Sequence, residues 1–282
     1  MVENRPFLTV LSHLVVLLGV IVIAFPVWMT FVASTHSQQT MLQSPIPLLP
    51  GPYLFENYTK VLTEGYGRVG STAVLMTLTN SLIMALGVAI GKIAISIISA
   101  FAIVYFRFPG RMYFFWAIFV TLMLPVEVRI VPTYGVVANL GMLDSYGGLI
   151  IPLIASATAT FLFRQFFLSV PDELTEAARV DGASPMRFFW DILLPMSRTS
   201  IAALFVIQFI YGWNQYLWPL LITTKESYYT VVMTVSRQAN VVDSVPSWNL
   251  LMAMAMLAML PPVLVVVFMQ RQFVRGLVEV EK

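Results

Sequence analysis

The chain alternates between long apolar runs and short polar connections. A membrane-spanning helix needs about 20 predominantly apolar residues, and the runs that meet this length are residues 8–32, 73–106, 113–133, 146–167, 200–223 and 248–269. The pattern therefore predicts an all-α, polytopic membrane protein with six transmembrane helices. The first run is longer than the 7–15 apolar residues of a signal peptide, so we expect an uncleaved anchor.

The connections between these runs differ in character. Residues 35–72 are rich in proline and polar residues, which predicts an ordered loop with one short helix near residues 57–62. Pro125 and Pro132 each lack a backbone donor, so the third span is predicted to kink or end there. Residues 225–246 are predicted to form a loop.

One connection, residues 171–195, stands out because it is charged. Pro171, Asp172 and Glu173 favour the start of a helix, and Gly182 is a natural residue for its end. Ser184-Pro185 favours the start of a second helix. Residues 171–192 contain five acids and two arginines, whereas a helix lying on a membrane surface is typically rich in Lys and Arg. We therefore favour a docking surface for a soluble partner over a membrane-surface helix.

Composition supports a membrane protein and excludes several kinds of site. Hydrophobic residues make up 59% of the 282 residues and charged residues 11%, against about 25% charged in soluble domains. The absence of cysteine and the presence of only two histidines argue against disulfides, zinc–thiolate sites and histidine-built metal sites. The net charge of +2 gives no indication of a nucleic-acid partner.

The distribution of Lys and Arg predicts the orientation of the chain. With both termini in the cytoplasm, ten of these residues lie on the cytoplasmic side and five outside, in agreement with the positive-inside rule. The same orientation places residues 171–195 in the cytoplasm.

Lys92 lies inside the second apolar run. At about 1.5 Å per residue it is about 22 Å from Arg107, in the outer half of a core about 30 Å thick. It either holds an anionic phosphate, or snorkels outward or pairs with an acid of another helix. Arg129 suits phosphate recognition or pairs with Glu127 or Asp144.

Other polar or amphipathic residues in the spans are candidates to line a path for a substrate with hydroxyl groups. The alternative is that they form helix–helix hydrogen bonds and an interfacial tryptophan belt. These residues are Asn80, Gln208, Tyr211, Trp213 and Asn214. Gly87 and Gly91 precede Lys92, but their spacing does not match a phosphate-binding loop and instead predicts a helix-packing face.

The charged connection resembles the coupling motif of ABC importer permeases. The stretches that carry the likeness are Glu176-Ala177-Ala178, Asp181-Gly182-Ala183, Ile192 and Leu194-Pro195. Two further stretches, Ser145-Tyr146-Gly147-Gly148-Leu149 and Trp213-Asn214-Gln215-Tyr216, resemble carbohydrate-type members of that family.

The resemblance implies a type I ABC importer permease fold with a cytoplasmic coupling helix, in a multi-pass protein of the bacterial inner membrane. Its implied partners are a second, homologous permease subunit, two ATP-binding subunits, a periplasmic substrate-binding protein and membrane lipid. ATP and Mg would bind to the partner subunits, with no cofactor or metal on this chain. The residues implied to contact or shape the ATPase interface are Glu176, Ala177, Ala178, Asp181, Gly182 and Ala183.

This interpretation divides the chain into an N-terminal transmembrane helix with a periplasmic loop (1–72), a core transmembrane domain (73–271) and a cytoplasmic tail (272–282). An intramembrane enzyme would need a buried catalytic set, and no predicted span has an Asp in its middle. A receptor would need a signalling domain, for which the tail is too short. We therefore expect a non-catalytic transport subunit.

Overall fold

The computed structural model describes residues 6–65, 73–121, 126–240 and 245–278, and within these ranges all regular structure is helical. The α-helices, in chain order, are α1 (Pro6–Ser34), α2 (Gln38–Met41), α3 (Leu54–Glu64), α4 (Val74–Tyr105), α5 (Arg111–Val120), α6 (Val126–Asn139), α7 (Tyr146–Ile150), α8 (Ala157–Leu168), α9 (Asp172–Val180), α10 (Pro185–Phe188), α11 (Leu194–Met196), α12 (Arg198–Trp213), α13 (Leu217–Ile222), α14 (Val231–Ala239) and α15 (Trp248–Val278). Short 3₁₀ segments occupy Ile151–Leu153 and Glu226–Tyr228, and a π-helical segment occupies Phe189–Leu193.

Three helical segments are long and apolar enough to cross a membrane: Phe7–Ser34, Val74–Tyr105 and Trp248–Arg271. Two bent helix pairs raise this number to five if each pair is counted as one span. The third predicted span is divided between α5 and α6, and residues 122–125 between them lie outside the described part of the chain. The count of six therefore stays a prediction.

Two of the predicted spans are interrupted. The fourth is bent by 48° between residues 153 and 157, where Ile154–Ser156 is not helical. The hydropathy pattern predicts the fifth as one run over residues 200–223, but the helix ends at Trp213 and resumes at Leu217. Hydropathy averaged over a span of about 20 residues does not resolve breaks of three residues, here 154–156 and 214–216.

Pro125 lies outside the described residues, whereas Pro132 lies inside α6. Because α6 continues to Asn139, the helix does not end at Pro132, and a kink there stays a prediction. The loop predicted over residues 225–246 contains α14, a helix that the polar pattern did not indicate.

The chain divides into two compact units, of which the first comprises residues 1–75 and 235–259. Asn57, on α3, organises the polar part of this unit. Its buried amide donates hydrogen bonds to the carbonyl oxygens of Ser34 and His36, at 2.8 and 2.9 Å, and its Oδ1 accepts one from Asn249 at 3.0 Å. The predicted helix near residues 57–62 is thus confirmed and extends over Leu54–Glu64.

The second unit comprises residues 76–234 and 260–282. One buried apolar cluster joins α4, α8 and the segment from α9 to α12; its fully buried members include Phe163 and Leu193. A separate cluster around Met84, Leu149 and Ile222 joins α4, α7 and α13. The candidate site residues described next belong to this second unit.

Candidate functional site

We call residues 171–195 the elbow, and its first helix ends as the sequence predicts. Gly182 has φ of +71°, a left-handed conformation that glycine adopts without strain. Its backbone N–H donates to the carbonyl of Arg179 at 3.0 Å, and the N–H of Ala183 donates to that of Ala178 at 2.9 Å. This pair of bonds is the Schellman motif that closes helix ends.

The second helix of the elbow also starts as predicted. Ser184 is its N-cap, and its hydroxyl accepts a hydrogen bond from the N–H of Arg187 at 3.3 Å. Pro185 occupies the first turn, where its missing N–H leaves no hydrogen bond unmade. The two capped helices therefore hold a fixed corner at Gly182.

Two aromatic side chains of the elbow point inward, whereas a third, Trp190, is 59% exposed. Phe188 and Phe189 are 5% and 4% exposed. The Phe189 ring lies 4.9 Å from that of Phe101, and the Phe188 ring lies 5.3 Å from that of Tyr105. Both partners belong to the last turns of α4. The elbow thus packs against the end of α4 through these aromatic contacts.

The sequence-predicted coupling residues divide by exposure. Ala178 is 6% exposed and belongs to the buried cluster, so its side chain packs inside the elbow, and its part in the ATPase interface stays a prediction. Ala183 is half-buried. The residues whose side chains or backbone are exposed are Glu176, Ala177, Asp181 and Gly182. Val180, which the motif does not include, is 88% exposed.

A second feature of the same unit is a cavity of about 180 Å³ at the interruptions in the fourth and fifth spans. Its wall consists of Lys92, Arg129, Ile130, Thr133, Pro152, Leu153, Ala155, Tyr211, Gln215, Leu217 and Trp218. None of these described lining residues is acidic. Non-helical backbone within a membrane requires protein or a water-filled cavity beside it, and Ala155 and Gln215 lie on such backbone here.

Lys92 is 7% exposed and its ammonium nitrogen lies 3.6 Å from the centroid of the Tyr211 ring. This distance is within the range of a cation–π interaction. The side chain therefore does not snorkel outward, and in the described lining it meets no carboxylate. Arg129 faces the same cavity from α6.

Asp144 does not serve as the partner of Arg129. Its carboxylate accepts hydrogen bonds from the N–H and hydroxyl of Thr224, at 2.6 and 2.7 Å, and from the N–H of Lys225 at 2.9 Å. These bonds, above all the one from the Lys225 backbone and next that from the Thr224 hydroxyl, lower the pKa of the Asp144 carboxyl. The side chain of Glu127, the other predicted partner, is outside the described part of the structure.

The other predicted path residues are scattered. Asn80 is 1% exposed; its amide donates to the carbonyls of Ser227 and Tyr229, at 2.8 and 3.0 Å, and its oxygen accepts from the Tyr146 hydroxyl at 2.7 Å. This network supports the helix-bonding alternative.

The remaining candidates belong to α12 and its end. Gln208 and Trp213 are buried, and the Trp213 ring stacks on Phe209 at 5.9 Å. Asn214 is exposed at the helix end. Of the predicted path residues, the structure brings together Lys92, Arg129 and Tyr211 in one cavity.

Three residues that line the cavity were not among the path residues predicted from the sequence. Trp218 is 4% exposed and donates its indole N–H to the Gly148 carbonyl at 3.1 Å. Gln215 donates to the Tyr211 carbonyl at 3.1 Å, and Thr133 donates to the Arg129 carbonyl at 2.7 Å. Gln215 lies within the Trp213–Tyr216 motif that resembles carbohydrate-type permeases, so that motif was the available signal.

Gly87 and Gly91 confirm the predicted packing face. A Cβ at Gly87 would lie 2.6 Å from Ile150 Cδ1, and one at Gly91 would lie 2.5 Å from Ile154 Cγ2. The close approach of the interrupted fourth span to α4 therefore depends on both glycines. Ser96 also supports the interruption, because its hydroxyl donates to the Ser156 carbonyl at 3.2 Å.

Interrupted helices around a polar cavity, together with a capped polar elbow, are features of a membrane transport protein. Residues 92–279 match the model of the family described as binding-protein-dependent transport system inner membrane component. The chain belongs to this family, and it is a multi-pass protein of the inner membrane.

Relatives and a solved structure agree with this assignment. The chain is 57% identical to the sn-glycerol-3-phosphate transport system permease protein of Agrobacterium fabrum, 56% to that of Brucella melitensis and 55% to that of Rhizobium meliloti, in each case over 282 residues and all of both chains. A bacterial ABC transporter involved in the import of the acidic polysaccharide alginate superposes with a TM-score of 0.83 at 20% identity, over 97% of this chain and 99% of the other. The predicted permease fold is thereby confirmed.

Proposed function

We propose that this chain is a permease subunit of an ATP-driven importer that carries sn-glycerol-3-phosphate, and also glycerophosphodiesters, across the cytoplasmic membrane by alternating access. The observation that carries this proposal is the 55–57% identity, over the full length, to permeases named for that substrate. A cavity lined by two cationic residues and no described acid supports an anionic cargo. A neutral sugar would leave both charges without a counter-ion.

The proposed subunit performs no chemistry itself. ATP and Mg²⁺ bind to the partner ATPase subunits, and the elbow transmits their closure to the membrane helices. The exposed part of the elbow that meets the ATPase is Glu176, Ala177 and the corner at Asp181-Gly182. Because Phe188 and Phe189 pack on the end of α4, a displacement of the elbow acts directly on the helix that carries Lys92.

The proposed assembly contains a second permease of similar fold, two ATPase subunits and a periplasmic binding protein. The excess of Lys and Arg in the connections around the elbow supports a cytoplasmic location for the elbow and for both termini. Cysteine labelling from one side of the membrane tests this orientation, since the chain has no cysteine of its own. Val180→Cys is expected to react only when the reagent reaches the cytoplasm.

The function is tested by uptake of radiolabelled sn-glycerol-3-phosphate. Cells that lack their own importer would receive this chain together with its proposed partner permease, ATPase and binding protein. We expect ATP-dependent accumulation of sn-glycerol-3-phosphate and none of a neutral disaccharide. Accumulation of the disaccharide instead would contradict the proposed substrate and support a sugar permease.

The elbow assignment is tested by two matched glycine substitutions. Gly182 and Gly141 have φ of +71° and +66°, and a Cβ at either position meets no atom within 4 Å. Gly182→Val and Gly141→Val thus impose similar backbone strain of about 1–2 kcal/mol. We expect only Gly182→Val to abolish uptake while the protein remains in the membrane, because only that side chain projects into the ATPase interface.

Equal uptake by the two variants would contradict the assignment of Gly182 to a docking surface. Pull-down of the ATPase subunit gives a second measurement: Gly182→Val is expected to retain less ATPase than Gly141→Val.

A further inference from the structure

We propose that this subunit itself binds the phosphate of the transported substrate, in the cavity where Lys92, Arg129 and Tyr211 meet. The inference deepens the proposed function and rests on it. It states that the phosphomonoester group of the substrate binds to this chain, and it makes no claim about which other part of the substrate the second permease contacts.

The charges of the cavity favour an anionic ligand. Lys92 is 7% exposed, and an ionised side chain at membrane depth faces an opposite charge, a backbone acceptor or a water-filled cavity. Here it faces a cavity that holds a second cation, Arg129, and no described carboxylate. Two like charges on one cavity repel each other. A bound dianion removes that repulsion and supplies the counter-charge that the described lining lacks.

The contact between Lys92 and Tyr211 leaves the ammonium ready for a ligand. The ammonium lies 3.6 Å above the centre of the Tyr211 ring, so an aromatic face stabilises the charge. Charge-assisted hydrogen bonds to phosphate oxygens are short and strong, and the ammonium has three N–H donors, so it can bind a phosphate while it remains above the ring. Tyr211 holds the ammonium at the cavity without neutralising it.

The neutral polar groups nearby are already engaged within the protein. All three donate to backbone carbonyl oxygens: the Trp218 indole to that of Gly148, the Gln215 amide to that of Tyr211, and the Thr133 hydroxyl to that of Arg129. Recognition therefore depends on the two charged groups more than on these donors.

Size also favours a small metabolite. The cavity volume of about 180 Å³ is below the roughly 300–1,000 Å³ of pockets that enclose drug-sized ligands. It suits a phosphorylated triol better than an oligosaccharide chain.

The two cations further predict selectivity by charge. A phosphomonoester carries a charge of about −1.5 to −2 at neutral pH because its second pKa is about 6, whereas a phosphodiester carries a single negative charge. Removal of one cation should therefore impair transport of the monoester more than transport of a glycerophosphodiester.

The experiment uses the complete complex of permeases and ATPases in proteoliposomes, with the loaded binding protein outside. Transport of radiolabelled sn-glycerol-3-phosphate and of glycerophosphocholine is measured for the wild type, Lys92→Met, Lys92→Arg and Arg129→Ala. Lys60→Met is the matched control, since Lys60 is exposed on α3. Recovery of assembled complex and phospholipid bound after purification are measured in parallel.

We expect Lys92→Met to reduce sn-glycerol-3-phosphate transport about tenfold or more, the effect of removing one hydrogen-bonded charge, with the complex intact and Lys60→Met unaffected. Lys92→Arg should recover part of the loss, and Arg129→Ala should impair the monoester more than the diester.

Wild-type failure to transport either compound would refute the proposed function. Wild-type transport together with undiminished transport by Lys92→Met would overturn this inference alone. Undiminished transport with loss of bound phospholipid would instead identify a lipid-headgroup site. Loss of the assembled complex in Lys92→Met would identify pairing with the second permease and would also overturn the inference.

Discussion

Two regions of α4 each bury a polar side chain, and they differ in how that side chain is satisfied. Asn80 uses its amide to bond Ser227, Tyr229 and Tyr146. Lys92, further along the same helix, contacts an aromatic ring and shares its cavity with another cation. The first region is satisfied within the protein, whereas the second gathers two positive charges with no described counter-ion. A buried polar group in a transporter therefore indicates ligand binding only when the protein does not itself satisfy its hydrogen bonds or its charge.

The largest expected effect comes from Asn80→Ala, which removes three hydrogen bonds between a buried amide and part-buried groups. At about 0.5–1.5 kcal/mol for each hydrogen bond, we expect the free energy of unfolding to fall by about 3 kcal/mol. This corresponds to a lower Tm by roughly 6 °C or more for a chain of this size. Thermal unfolding of the purified protein, followed by tryptophan fluorescence, measures the shift.

Lys92→Met is the control for this stability prediction. Removal of Lys92 loses the cation–π contact with Tyr211 but also relieves the repulsion from Arg129, so Tm should stay close to the wild-type value. A large loss of stability in Lys92→Met, with a small one in Asn80→Ala, would reverse the proposed roles of the two regions.

The next effect is expected at the glycines that bring the interrupted fourth span against α4. Gly91→Val introduces a Cβ that would lie 2.5 Å from Ile154 Cγ2. Overpacking of this kind costs about 1–3 kcal/mol and should also displace the backbone beside the cavity. Reduced Tm and reduced transport are the expected results.

Two further variants test whether the effect of Gly91→Val comes from its contact with Ile154: the double variant with Ile154→Ala, and the control Gly19→Val. The double variant Gly91→Val/Ile154→Ala should regain part of the lost stability, because the contact is removed from both sides. Gly19 has no atom within 4 Å of a Cβ, so Gly19→Val should have little effect. Strict additivity of the Gly91 and Ile154 changes would contradict the contact.

A smaller effect is expected at Tyr211. Cation–π interactions are worth about 0.5–2 kcal/mol, so Tyr211→Leu should lower transport by roughly two- to thirtyfold. Tyr211→Phe should lower it less, because the ring face is kept. Equal losses in both variants would indicate that the hydroxyl, rather than the ring, carries the function.

The smallest effect concerns Asp144, outside the membrane spans, and it depends on pH. The hydrogen bonds from Lys225 and Thr224 lower the pKa of this carboxyl in the folded state, so they stabilise the fold above the unfolded pKa of about 3.9 and this stabilisation is lost as pH falls through the folded pKa. Asp144→Asn should therefore lower Tm at pH 7, and the difference from the wild type should narrow below about pH 4. A difference that stays constant down to pH 3 would exclude this contribution of the carboxylate.

The elbow could be predicted from the sequence because its rules are local. A glycine after the last helical turn and Ser184-Pro185 before the next helix define the corner without reference to other parts of the chain. What the sequence could not show is the direction of the aromatic side. Phe188 and Phe189 pack on Phe101 and Tyr105, which are more than 80 residues away along the chain.

The cavity was predictable only as a set of separate candidates. Lys92 is conspicuous because it is charged within an apolar run, but Tyr211 is one of 11 tyrosines and lies on another helix. Both side chains line a cavity at the interruptions in two spans, and these interruptions are too short to appear in a hydropathy pattern averaged over a whole span. Asn80 and Lys92 are both buried on α4, and only their tertiary partners show which of the two is satisfied within the protein.

The most direct measurement is an electron cryomicroscopy structure of the complete complex with sn-glycerol-3-phosphate, trapped between the two membrane faces. We expect the phosphate to lie between the ammonium of Lys92 and the guanidinium of Arg129, with the elbow seated on an ATPase subunit. A phosphate held entirely by the second permease would contradict phosphate binding by this chain.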